Sequence, residues 1–406
     1  MTAATPTRWY FIPTVIIVGG CLVAMVNFGV RSSFGFFTQP MSEAHQWPRE
    51  VFSFGIALQN LLWGFATPLA GALADRFGSA RVLMSGAVVY CLGIALMAMA
   101  EVPLFFHIGG GVLVGIGIAL SSFGIVMAAL GRLMPPEKRS WAFGIATASG
   151  SLGQFVFSPL SAVLISVFGW HQALLVLAAS SLSIIIFAIP LTAQTSPSNA
   201  IIEAKLTMGE AVTSAFSHSS YLLLTAGFFV CGFQIAFVTV HLPPYLAEHG
   251  ITKEMAGVAM ALIGLFNVGG AYFSGVLGGK MAKRIPLSAI YLLRSLAVTF
   301  FILTPVSNLT TVLFTASLGL LWLSTVPLTM GLVTVMFGTR YMATLYGFVF
   351  LSHQLGSFLG VWLGGKLYDQ LGSYDPVWWM GVALGIFAAI VHLPIRERAA
   401  ESFRAA

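Results

Sequence analysis

Charge is what this sequence has least of. Only 8% of its 406 residues are Asp, Glu, Lys or Arg, against roughly 25% in soluble domains, so no water-facing surface can be assembled around a fold of this size. A water-soluble enzyme, a nucleic-acid-binding protein and a disordered scaffold are excluded together, since each needs charge that is missing. Acids are scarcer than bases, 13 against 19. Tracing Glu43, Glu50, Asp75, Glu101, Glu137, Glu203, Glu210, Glu248, Glu254, Asp369, Asp375, Glu397 and Glu401 puts every carboxylate in a loop or near a helix end, and none in mid-membrane. Cysteine is nearly absent: Cys21, Cys91 and Cys231 lie in apolar stretches without paired spacing, and read as small core residues rather than disulfides or metal ligands. No nucleophile–base pair or metal constellation occurs at usable spacing, so an enzyme is not expected. The stretch Gly109 to Gly117 lacks the strand and the Gly-Lys-Ser/Thr ending of a phosphate loop and reads as close helix packing, which leaves no ATP site and no cofactor.

What is present is apolar: 58% hydrophobic residues with 33 Phe and 43 Gly. A bilayer core of about 30 Å needs roughly 20 such residues per helix. Twelve runs of that kind occur, over 11–37, 51–74, 81–100, 104–131, 140–168, 171–191, 221–245, 255–278, 286–304, 309–336, 343–368 and 377–394. The first is too long for a signal-peptide core and has no small-residue cleavage pattern, so it is expected to stay as a signal anchor. The one long polar interruption predicts a six-helix bundle over 1–191, a cytoplasmic linker over 192–220 and a second bundle over 221–406. With the N-terminus inside, Arg8, Arg76, Arg81, Arg132, Lys138, Arg139, Lys205, Lys280, Lys283, Arg284, Arg340, Arg396, Arg398 and Arg404 face the cytoplasm, and only Arg49, Lys253 and Lys366 face out. This positive-inside bias places both termini in the cytoplasm of a multi-pass plasma-membrane protein, the inner membrane of a bacterium. Trp9, Trp47, Trp378 and Trp379 near span ends read as interfacial anchors.

The halves echo each other. Gly71-Ala-Leu-Ala-Asp75-Arg76-Phe-Gly78-Ser-Ala-Arg81 follows the second span, and a degraded copy, Gly275-Val-Leu-Gly-Gly279-Lys280, follows the eighth at an offset of about 204 residues. Lys138-Arg139 ahead of Gly144 is echoed by Arg340 ahead of Gly347. A six-helix unit duplicated in parallel is the natural reading. Gly71, Asp75, Arg76, Gly78 and Arg81, with the twelve spans and central linker, resemble the major facilitator superfamily over nearly the whole chain. The fold expected is therefore all-α, two pseudo-symmetric six-helix bundles in the membrane. Gly71 permits close helix approach, while Asp75 can accept from a helix N-terminus or pair with a cation on a neighbouring helix, so these residues with Arg139 read as a conformational latch.

Within the superfamily three stretches look most like bacterial monocarboxylate-transporter relatives and the neighbouring oxalate/formate antiporters: Arg31 to Pro40 leading to Gln46-Trp47-Pro48-Arg49, Lys138 to Gly153, and His353-Gln-Leu-Gly356 with Gly360. The resemblance implies transport of small organic anions, most simply lactate or pyruvate, by proton symport with alternating access in a functional monomer. Carboxylate exchange of the oxalate/formate type is the alternative, and a non-transporting membrane sensor, which would need a signalling appendage, is a third.

Intramembrane cations without intramembrane acids leave a positive cavity that an anion would balance. Arg31, two thirds along the first helix, stands where the carboxylate-transporter relatives carry a basic residue. Its guanidinium fork suits a carboxylate, although an arginine near the outer face can also snorkel to headgroups. His353 falls where the oxalate/formate relatives tend to carry a second cation and can switch charge near neutral pH, and His241 before Pro243-Pro244 could receive a proton from outside. Both also fit structural histidines. The relatives' eighth helix often holds a polar or acidic residue and, four positions on, an arginine. Here those positions are Asn267 and Ala271, so the usual clamp is absent and Asn267 alone can hydrogen-bond. Gln59, Asn60, Ser149, Gln154 and Gln234 lie on helices that can face the cavity, with Gln154 and Gln234 counted among the substrate ligands. Arg294, on a peripheral helix, reads chiefly as a partner of backbone carbonyls.

Overall fold

The structure, a computed structural model, describes residues 12–192 and 206–403, and gives only the backbone of Arg49, Glu50 and Lys253. Arg8, Trp9, Lys205, Arg404 and residues 193–205 of the expected linker lie outside the described residues. Among the described residues every regular element is a helix. Helix α1 spans Pro13–Ser32, α2 Arg49–Phe77 and α3 Ser79–Ala98. Helix α4 is the segmented span Pro103–Leu133. The single helical stretch Pro136–Phe187 turns at Gly169, whose φ of 80° an L side chain resists, and so supplies two arms, α5 over 136–168 and α6 over 170–187. There follow α7 Ser219–Glu248, α8 Lys253–Lys280, α9 Arg284–Leu303, α10 Asn308–Phe337, α11 Met342–Leu371 and α12 Asp375–His392.

Among the described residues, ten stretches are long and apolar enough to cross a membrane. The α5–α6 stretch covers two of the twelve expected runs. Helix α11 falls outside the ten because Ser352, His353, Gln354, Lys366, Asp369 and Gln370 dilute it. Local signals set the ends: Pro13 opens α1, Thr252 accepts from Met255 N to start α8, and Ser307 and Thr310 form a capping box ahead of α10.

The structure departs from the expected spans in four places. Helix α1 stops at Ser32 and continues as a 3₁₀ turn over Ser33–Phe37 and a short helix over Thr38–His45. Helix α7 runs through Pro243 and Pro244 to Glu248 instead of ending near 245. The linker contains a helix, Met208–Phe216, closed by the Thr207–Glu210 capping box. Helices α4 and α10, expected to be continuous, are broken. Helix α4 has a wide π-type turn over His107–Leu113 and an interruption at Ser121-Ser122; α10 is interrupted between Leu321 and Thr325.

The packing repeats the echo in the sequence. Gly71 of α2 lies against the backbone of Ala343 and Thr344 at the start of α11, and Gly347 against Pro68. One repeat on, Gly275 of α8 lies against Gly144 of α5, whose other neighbour is the carbonyl of Ala271. A Cβ at any of these glycines would enter the facing backbone, so the pairs α2–α11 and α5–α8 close only because side chains are missing there. Farther along α8, Gly257 and Gly264 face open space, with no atom within 4 Å of where a side chain would begin.

Candidate functional site

Arg31 sits near the end of α1 that points away from these crossings. Its Nη2 donates to Asn60 Oδ1 of α2 at 2.6 Å and its guanidinium lies 4.6 Å from the ring centre of Trp63, one turn farther along α2. Nε of Arg31 is buried with no partner, and no carboxylate pairs with the side chain among the described residues. From Asn60 the connection crosses to α11: Gln354 Nε2 donates to the Asn60 carbonyl at 3.3 Å, and Gln354 Oε1 lies 3.2 Å from His353 Nδ1. A parallel aromatic path joins the same ends. Trp63 packs on Phe350 at 4.9 Å, and Phe350 stacks on His353 at 5.4 Å and 8°. Arg31 and His353 thus terminate one network that spans the two sets of six helices, and Arg31, Asn60, His353 and Gln354 are all only half-buried.

Two of the other expected ligands, Asn267 and Gln234, have partners outside this network. Asn267 is fully buried, donates to Ser151 Oγ of α5 at 2.7 Å and accepts from Leu323 N at 2.9 Å, so it holds the break in α10. Gln234 is tied to the Gly381 carbonyl of α12 at 2.9 Å and lies 3.5 Å from Arg294. Gln154 is half-buried on α5. His241 is buried between α7 and α11, with Nε2 bonded to the Val361 carbonyl at 3.0 Å, which places it in the helix interior rather than in a helix-ending turn. Gln59 and Ser149 bond backbone carbonyls, Gly110 and Ile145. Ala271 is fully buried at the α5–α8 crossing, where an arginine has no room. Arg294, 1% exposed, donates to the carbonyls of Leu321, at 2.6 Å and 3.0 Å, and Trp322, capping the first segment of α10.

The two helix breaks are built alike. Asn27 of α1 donates to Ser121 Oγ at 2.7 Å while the Tyr90 hydroxyl reaches the Asn27 carbonyl. One repeat on, Cys231 of α7 meets Thr325 Oγ1 at 3.3 Å and Arg294 stands where Tyr90 does.

At the end of the molecule carrying the glycine crossings, Asp75 accepts from Arg132 Nη1 at 2.8 Å, Thr344 N at 2.8 Å and Thr344 Oγ1 at 2.7 Å. It therefore pairs with a cation of α4 and the N-terminus of α11 at once. Arg132 also reaches Ser79 Oγ and the Thr339 carbonyl. Gly78, with φ 94°, ends α2 so that Ser79 can start α3. Arg76 lies over the ring of Phe77, Arg81 is exposed, and Arg139 bonds the Met134 carbonyl. Arg132 and Thr344 were not singled out in the sequence, because a lone Arg in a basic loop and a Thr at a helix start carry no signal of their own. In the second copy the counterpart of Asp75 is Gly279, facing Ser140 of α5, whose hydroxyl is buried without a partner.

The model of the Major Facilitator Superfamily matches residues 20–361. Monocarboxylate transporter 13 of Bos taurus is 26% identical over 367 residues, covering 89% of this chain and 84% of that protein. The oxalate:formate antiporter of Oxalobacter formigenes is 23% identical over 380 residues, covering 91% and 87%. Among solved structures, an E. coli fucose:proton symporter superposes with a TM-score of 0.72 at 15% identity, covering 95% and 98% of the two chains. With apolar helices long enough to cross a membrane, the chain is a multi-pass membrane protein, and it belongs to the major facilitator superfamily, whose members are transporters of small molecules rather than enzymes.

Proposed function

We propose that the chain carries small organic anions, monocarboxylates first among them, by proton symport, with Arg31 as the carboxylate anchor and His353 as the proton-responsive partner. The observation that carries the reading is the Arg31–Asn60–Gln354–His353 network, with a guanidinium half-buried in the membrane and no carboxylate against it among the described residues. An uncompensated charge there costs roughly 2.5–3.5 kcal/mol on insertion scales, which a bound anion would recover. The names of the relatives, monocarboxylate transporters and an oxalate:formate antiporter, support the substrate class.

The units proposed to rock are 1–191 and 221–406, joined by the linker over 192–220. Asp75, Arg132, Thr344 and the glycine crossings hold one end closed. The closed end carries Arg76, Arg81, Lys138, Arg139, Lys280, Lys283, Arg284, Arg340, Arg396 and Arg398, so we assign it to the cytoplasm, in a bacterial inner membrane and with both termini inside. The test is uptake of labelled lactate and pyruvate into proteoliposomes with and without an inward proton gradient. Gradient-driven uptake lost in Arg31→Gln, with the variant still folded, is expected; unchanged uptake in that variant removes Arg31 from the site.

A further inference from the structure

We infer that Trp63 is a substrate-binding residue: its indole N–H donates to an oxygen on the carbon next to the carboxylate, so that the site selects 2-oxo and 2-hydroxy acids over acids without that oxygen. The inference rests on Arg31 as the carboxylate anchor. Trp63 lies three residues after Asn60 on α2, hence on the same helix face, and the Arg31 guanidinium sits over its ring at 4.6 Å. The residue is 5% exposed, and its Nε1 is buried with no partner among the described residues. The rings packed on it, Phe28 edge-on at 6.3 Å and Phe350 at 4.9 Å, carry no polar atom. Arg31 Nε is buried and unpartnered in the same way. The meeting point of α1, α2 and α11 therefore holds two unanswered donors on neighbouring groups. Folded proteins leave few such donors, and each needs an acceptor that the chain itself does not supply.

One repeat on, the register of Trp63 is held by Asn267, whose donor crosses to Ser151 of α5 and whose acceptor takes Leu323 N. The same register in the first copy meets α11 at Phe350 and keeps its donor unanswered. Nε and Nη2 share one edge of the Arg31 guanidinium, and Nη2 holds Asn60 Oδ1 at 2.6 Å. A carboxylate displacing that oxygen takes the whole edge, one oxygen to each nitrogen. The indole N–H is then left for a third oxygen, which the adjacent carbon of the acid can carry. Answering a buried unpaired donor tightens binding by roughly 5 to 150-fold, and an acid without the third oxygen gains none of it.

The experiment is calorimetric binding of pyruvate, lactate and propanoate to the purified full chain, acids of equal carbon number that differ at the second carbon. Pyruvate and lactate are expected to bind about fivefold or more tighter than propanoate. Trp63→Phe, which keeps a ring against Arg31 and removes the N–H, is expected to bring that ratio to about one. A readout on the unmutated chain is proton–nitrogen NMR of the indole groups: pyruvate is expected to move one indole N–H signal downfield and propanoate to leave it in place. An unchanged ratio in Trp63→Phe, or indole signals that respond alike to pyruvate and propanoate, overturns the role of Trp63 and leaves the anchor standing. Equal loss of all three acids in Trp63→Phe puts the N–H on the carboxylate and overturns selection at the second carbon. Undiminished pyruvate binding in Arg31→Gln overturns the anchor, and binding of none of the three acids to the unmutated chain overturns the proposed function on which the inference stands.

Discussion

Gly279→Asp would give the second copy of the latch the carboxylate that only the first copy has. In the first copy Asp75 takes the Thr344 hydroxyl and amide and the Arg132 guanidinium. In the second, Ser140 stands in for Thr344 with its hydroxyl unpartnered, and a Cβ on Gly279 would sit 3.8 Å from Ser140 Cβ, an ordinary contact. A charge-assisted hydrogen bond to that hydroxyl contributes about 1.5–3 kcal/mol. Replacing glycine within a helix adds a few tenths, while a carboxylate in the last turn of α8 opposes the helix dipole by about 0.3–1 kcal/mol. Lys283, packed over Gly331, offsets part of that cost. The net is about 1–3 kcal/mol in favour of the closed end, a shift of roughly 5 to 150-fold in the conformational equilibrium.

The shift can be read as maleimide labelling of Met342→Cys, a position fully buried at the closed end, with Cys21, Cys91 and Cys231 changed to serine. Labelling is expected to slow by that factor and turnover to fall with it. Adding Ser140→Ala should return both most of the way. Equal slowing with and without the Ser140 hydroxyl, or faster labelling, would refute the reasoning.

Three further perturbations address other parts of the molecule. Arg294→Leu strands the Leu321 and Trp322 carbonyls in the interior, so unfolding free energy should fall by about 2–4 kcal/mol and Tm in detergent with it; an unchanged Tm would remove the capping role. His353→Gln can keep a hydrogen bond to Gln354 but cannot titrate, so stimulation by a proton gradient should vanish while exchange of labelled for unlabelled substrate persists; retained stimulation would move the proton site elsewhere. At the start of α7, burial and then the nearby Arg398 cation hold His218 below the usual imidazole value of 6.5. Because the folded chain prefers the neutral ring, its contribution is complete above the unfolded value and is lost as pH falls through the folded one. His218→Gln should therefore flatten the fall in Tm between about pH 7 and pH 5, and an unaltered acid limb would contradict that assignment.

What could be read from the sequence follows from how local each signal is. Span length, the basic bias of one set of loops and the copy at an offset of about 204 are written in short windows, and the helices fall near where those windows place them, apart from the ends of α1 and α7, the linker helix and the breaks in α4 and α10. Asp75 was legible to the level of chemistry, because a carboxylate at the end of a span has few partners other than a cation or a helix N-terminus, and it takes both. Arg31 and His353 are legible as ionisable side chains within the spans but not as neighbours, since their connection runs through Asn60 and Gln354, residues whose type carries little information until α2 and α11 are seen to cross. The breaks in α4 and α10 were invisible because hydropathy is blind to backbone direction: Ser121-Ser122 and Trp322-Leu323-Ser324 are as compatible with a continuous helix as with an interrupted one.

The same breaks give Asn267 and Gln234, expected as substrate ligands, partners within the protein. An interrupted helix in an apolar interior exposes amides and carbonyls that something must bond. In α10 Asn267 takes the Leu323 amide, Arg294 takes the Leu321 and Trp322 carbonyls, and Gln234 is drawn to Arg294. A polar residue in mid-membrane therefore answers first to the backbone around it, and only those left with an unanswered atom, as Arg31 is at Nε, remain candidates for a ligand.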